Sequence, residues 1–141
     1  MVTWIVRGGL VLWALFFGLI GAQGVFSSAP YFELFGITGS ATAINTVRAD
    51  LSAFFLVAAG GALVGALRPG AWRALLVPAA LFGTALAGRL IGLAQGDTLT
   101  TAITQALISE ALSVLLLLGT MRHLARAAGM QSAAARTGQA G

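Results

Sequence analysis

Apolar and polar residues alternate in this chain on the scale of whole segments. Four runs of mainly apolar residues, at about 4–26, 43–67, 72–94 and 101–121, are separated by stretches in which Pro, Gly, Ser, Asp and Gln collect. About 20 apolar residues in a helix extend about 30 Å, the thickness of a bilayer's hydrocarbon core. The pattern therefore predicts four membrane-crossing helices. Arg68-Pro69-Gly70 stops the second run, because proline cannot continue a helix. Gln95-Gly96-Asp97-Thr98 reads as a tight turn, with Asp97 or Thr98 as N-cap of the last helix. Pro78 predicts a bend in the first half of the third. The longest connection, 27–44, is punctuated by Pro30, Gly36 and Gly39, yet Tyr31, Phe32, Leu34, Phe35 and Ile37 keep it apolar. It reads as an interfacial segment, with Tyr31 and Phe32 at headgroup depth and Glu33 toward water.

Small residues mark where helices approach closely. Gly18 and Ala22 form one small-xxx-small pair; Gly61 and Gly65 form a GxxxG pair with Gly60 beside it. Gly88 and Gly92 recur at the same interval in the third run, next to Arg89. These are packing faces. GxxxG is common enough by chance that it does not establish dimerisation.

Composition agrees with the pattern. Hydrophobic residues make up 58% of the 141 and charged residues 9%, against about 25% charged in soluble domains. The net charge of +4 does not indicate nucleic acid, since every basic side chain is an Arg beside or inside an apolar run. With no Cys there is no thiolate or disulfide chemistry, and one His cannot build a multi-histidine metal site. Arg7, Arg68, Arg73, Arg122, Arg126 and Arg136 fall at one membrane face, with Glu33 and Asp97 in the loops of the other. The positive-inside rule then places both termini in the cytoplasm. The expectation is an all-α integral membrane protein: a four-helix bundle over 1–124 and a cytoplasmic tail over 125–141 that begins as a helical extension of the last span and ends disordered. A secretory signal peptide is the competing reading of the first run, but that run is long and no A-x-A site follows it.

Charges inside apolar runs carry the candidate chemistry, because such groups are costly and usually meet one another. Helix rise sets their depths: Arg48 lies about 30 Å from Arg68, Arg89 about 24 Å from Arg73, and Glu110 about 18 Å from Arg122. The short hairpin between the third and fourth runs makes Arg89 and Glu110 neighbours within reach. We expect an intramembrane polar binding cluster of Asn45, Arg48, Asp50, Arg89 and Glu110. Thr101, Gln105 and Ser109 share a helix face next to Glu110. The bland alternative is an ion pair that only locks the bundle register.

The order Asn45-x-x-Arg48-Ala49, then Arg89, a glycine turn and Glu110 resembles the bacterial four-helix membrane family labelled domain of unknown function 4345. The resemblance covers about residues 4–124, although Ser52-Ala53 stand where members often carry Gly-Gly. It implies a fold, a set of polar positions and a bacterial inner membrane, and brings no activity. No phosphate loop, metal motif or serine triad is present, and the sequence names no catalytic residue. The expected function is that of a small accessory or binding subunit, packing on partner membrane proteins, pigments or lipids. The partners to expect are the bilayer and a larger complex or a homo-oligomer; a bound lipid or pigment is the candidate cofactor. The alternatives are a membrane enzyme acting on a lipid or isoprenoid, with Glu110 as acid/base, or a small carrier using Arg89 and Glu110.

Overall fold

The computed structural model describes residues 2–26, 32–33 and 36–138, with side chains to residue 130. Among these, all regular structure is helical: α1 (Val2–Phe26), α2 (Ala41–Leu67), a 3-10 turn (Ala71–Leu75) that runs into α3 (Leu76–Ala94), and α4 (Thr101–Gly138). All four helices, the third counted with its 3-10 turn, are long and apolar enough to cross a membrane. Of the interfacial segment expected over 27–44, residues 27–31, 34 and 35, Tyr31 among them, lie outside the described residues.

Three of the helix ends have an identifiable cause. Ser40 caps α2, its Oγ accepting from Ala43 N at 3.3 Å. For α4 the cap is Thr100, not Asp97 or Thr98: Thr100 Oγ1 accepts from Ile103 N at 3.2 Å. Asp97 is already engaged one turn earlier. Gly96 takes the left-handed conformation at φ +107°; its N–H donates to Leu93 O, and Asp97 N–H donates to Gly92 O. That pair of bonds is a Schellman motif, which closes α3 and satisfies its last carbonyls.

Pro78 lies in the first turn of α3, directly after the 3-10 segment. Its ring is fully buried. At the other end of the chain, the helical extension expected at the start of the tail runs further than the fourth apolar segment, continuing α4 to Gly138. The physical reason is composition: 125–138 is rich in Ala, the strongest helix former.

The bundle is a ring in which α1 packs chiefly on α2, α2 on the 3-10 turn and α3, and α3 on α4; α1 and α4 close it more sparsely. Its core has two parts. Toward the chain termini, Leu10, Leu75, Leu117 and Leu124 pack among Ala14, Ala59, Ala62, Ala66 and Ala79. Beyond them lies an aromatic layer of Phe17, Phe55 and Phe82, edged by Trp13 and Phe54. Phe17 and Phe82 meet edge-on at 4.8 Å between ring centroids, and Phe17 stacks on Phe55 at 5.6 Å.

Glycine sets the closest approaches. A methyl on Gly21 would stand 2.9 Å from Leu56 Cγ and 3.1 Å from its backbone N, and one on Gly18 3.4 Å from Ala59 Cβ, so α1 meets α2 most closely at Gly21. Gly61 and Gly65 receive the chain's own third segment: a Cβ there would meet Pro78 Cδ at 2.9 Å and Leu75 Cδ2 at 2.6 Å respectively. The GxxxG face is filled from within.

Candidate functional site

The inner face of α4 is read from its spacing: Glu110, Ser113, Leu117, Thr120 and Leu124 are all buried, at steps of three and four residues. The polar face expected at Thr101, Gln105 and Ser109 is the neighbouring one and is exposed. Ser109 returns its hydroxyl to Ala106 O at 2.9 Å, within its own helix. Two side chains from other helices reach the inner face. Trp13 of α1 donates its indole N–H to Ser113 Oγ at 3.1 Å. Arg89 of α3 donates its Nε–H to Glu110 Oε1 at 2.8 Å.

The ion pair is lopsided. Glu110's side chain is 8% exposed and Arg89's 37%. Only Nε of the guanidinium bonds the carboxylate, and Glu110 Oε2 is enclosed without a hydrogen-bond partner. A bidentate fork would have satisfied both oxygens. Here one carboxylate oxygen holds one edge of the guanidinium, and the rest of that side chain reaches the bundle surface. Beneath the pair, one helical turn along α4, Ser113 anchors Trp13. The Trp13 ring lies 4.6 Å from Phe17 and 5.2 Å from Phe82. The aromatic layer is thus the floor of the site.

Of the five residues expected to cluster, Arg89 and Glu110 are brought together. Asn45 and Asp50 lie on the exposed face of α2. Arg48 is half-buried, its guanidinium 5.9 Å from the Phe32 ring centroid and its Nε enclosed without a hydrogen-bond partner. The reason is lateral: α2 and α4 are diagonal in the ring, with α1 and α3 between them. Depth alone does not carry Arg48 to Glu110. Ser52, one turn further along α2, is buried with its Oγ unpartnered.

The glycines named with the site separate likewise. Gly88 faces open space. A Cβ on Gly92 would meet only the end of the flexible Asp97 side chain, which can turn aside, so Gly92 lies beside the turn without being required by it. Among the described residues no three His, Cys, Asp or Glu side chains converge as a metal site. Ser113 and Trp13 are the contributors that sequence reasoning missed. Their signal was available, since Ser113 lies three residues from Glu110 and so on the same helix face.

Comparison with family models, with curated proteins and with solved structures finds no match for this chain.

Proposed function

We propose that this chain is a small multi-pass protein of a bacterial inner membrane that serves as an accessory or binding subunit, with Arg89 as its docking point. The observation that carries the reading is the lopsided pair. A guanidinium held by one buried carboxylate oxygen, with more than a third of its side chain at the bundle surface, is a preoriented donor for an outside acceptor. A carboxylate, phosphate or carbonyl on a membrane partner or amphiphile suits its free N–H groups. The orientation that goes with this reading puts the arginine-rich end, with both termini, in the cytoplasm, and Arg89 toward the opposite face. Likeness to the four-helix family labelled domain of unknown function 4345 is part of the same proposal and rests on Asn45, Arg48, Arg89 and Glu110.

The test is purification of the full chain from its native host in gentle detergent or nanodiscs, with mass spectrometry of what it retains. We expect a stoichiometric partner protein or one bound amphiphile with the unaltered chain, and its loss from Arg89→Ala. Retention of the same partner by Arg89→Ala, or recovery of the unaltered chain with nothing bound, would overturn the reading. Glu110→Gln distinguishes it from the enzyme and carrier alternatives. The amide still offers Arg89 a carbonyl acceptor, so docking survives, whereas a proton passing through Glu110 is lost.

A further inference from the structure

At the end of the bundle that carries the termini, a cleft of about 410 Å³ opens between α1, the α2–α3 connection and α4. Thr3, Trp4, Arg7, Arg68, Trp72 and Leu124 supply its chemistry. We propose that it binds the phosphodiester headgroup of an anionic phospholipid. This site is separate from the Arg89 site and does not depend on it.

Charge carries the inference. Two guanidiniums line the cleft, and no carboxylate lies within ion-pair distance of either among the described residues. The chain has four carboxylates in all, Glu33, Asp50, Asp97 and Glu110, and each belongs to the other half of its helix or to a loop at the far end. Arg73, Arg122 and Arg126 add cationic charge near the cleft without adding an acid. Arg7 Nε is enclosed and has no hydrogen-bond partner. A buried charged donor left unmatched is unfavourable, and with Arg7 only part-buried where it lines the cleft, a small turn of its side chain would let an anion there match it.

The surroundings indicate which anion. The walls are two tryptophans, the residue type that settles at headgroup depth. Arg73 lies over the Trp72 ring at 5.0 Å and holds that wall. Thr3 Oγ1 and His123 Nε2, 3.5 Å apart, tie α1 to α4 at the rim. Directly outside, Trp4, Ile5 and Leu67 are exposed and apolar, so acyl chains can lie along α1 and α2 while the phosphate enters between Arg7 and Arg68. Basic clefts between helices at the cytoplasmic side suit lipid phosphates. A zwitterionic headgroup fits less well, because its ammonium would meet arginines and no acid.

The experiment uses native mass spectrometry of the full chain in detergent, titrated separately with phosphatidylglycerol and phosphatidylcholine. We expect phosphatidylglycerol adducts to be preferred, and Arg7→Gln with Arg68→Gln to weaken them about tenfold or more, the loss of a charge-assisted hydrogen bond. Arg68→Gln alone, at an exposed helix end, should give most of that loss without risk to folding. Arg126→Gln removes the same charge outside the cleft and should leave binding within about twofold. Equal weakening by Arg126→Gln would mean diffuse attraction and overturn the site. Equal binding of the two lipids would overturn the anionic assignment. Displacement of the lipid by soluble glycerol phosphate at similar concentration would make a free phosphate compound the ligand and overturn the lipid.

Discussion

Removing Arg89 should cost more than neutralising Glu110, and the cost should depend on the charge of Glu110. In Arg89→Ala the carboxylate stays where its side chain is 8% exposed, and its one hydrogen bond is gone. Stranding a buried charge this way costs about 3–5 kcal/mol in a sealed interior. Arg89 is 37% exposed, so its departure opens a path for water, and we expect about 2–3 kcal/mol. Glu110→Gln keeps the shape and a carbonyl acceptor, loses the charge assistance and puts an unpartnered amide NH2 where Oε2 is enclosed, about 1–2 kcal/mol together. In the Glu110→Gln background the cation is no longer needed, and Arg89→Ala should cost less than about 1 kcal/mol. The cycle is measured by tryptophan fluorescence during denaturant titration in mixed micelles, with all four proteins in one lipid–detergent composition. A cost of Arg89→Ala that is the same in both backgrounds would refute the reasoning, since the pair would then be uncoupled.

Four further outcomes follow from the packing and capping. Gly61→Ala forces a methyl against the rigid Pro78 ring and the Ala74 carbonyl and should destabilise by about 1–3 kcal/mol. Adjacent Gly60→Ala, in open space, should be neutral or stabilising by up to about 1 kcal/mol in the same titration. Ser113→Ala leaves the Trp13 indole N–H without its partner and should cost about 1–2 kcal/mol, with a change in tryptophan emission that Ser109→Ala does not produce. Thr100→Ala removes the α4 cap and should cost about 1 kcal/mol, visible as faster hydrogen exchange at Ile103.

The four helices were legible because an apolar run long enough to cross a bilayer is a one-dimensional property of the chain. The Arg89–Glu110 contact was legible for a related reason: both depths follow from helix rise, and a short turn forces the two helices to be neighbours. Arg48 was not, because its partner depends on which helices stand diagonally in the ring, and no local pattern states that. The α4 cap slipped to Thr100 because Asp97, an equally good capping residue in isolation, was already committed to closing α3. The Gly61/Gly65 face shows the limit of small-residue motifs most directly. The motif announces a close approach, and Leu75 and Pro78 of the same chain take it, so a partner protein has to use another surface.

That filled face also shapes what the two candidate sites do to each other. Leu75, fully buried against Gly65, and the Trp13–Phe17–Phe82 layer lie between the arginine cleft and the Arg89–Glu110 pair. Helix rise puts Arg89 about 24 Å from Arg73, far beyond the 7–10 Å within which mutational effects usually couple. The intervening layer is rigid aromatic and Ala packing, with no polar chain running from one site to the other among the described residues. We therefore expect Arg68→Gln and Arg89→Ala to be additive within about 0.5 kcal/mol in stability. Lipid adducts should be unchanged by Arg89→Ala, and partner retention unchanged by Arg68→Gln. A loss of partner on Arg68→Gln, with Arg126→Gln as the charge control, would mean that lipid at one end governs docking at the other. The aromatic layer would then have to be a moving part instead of a floor.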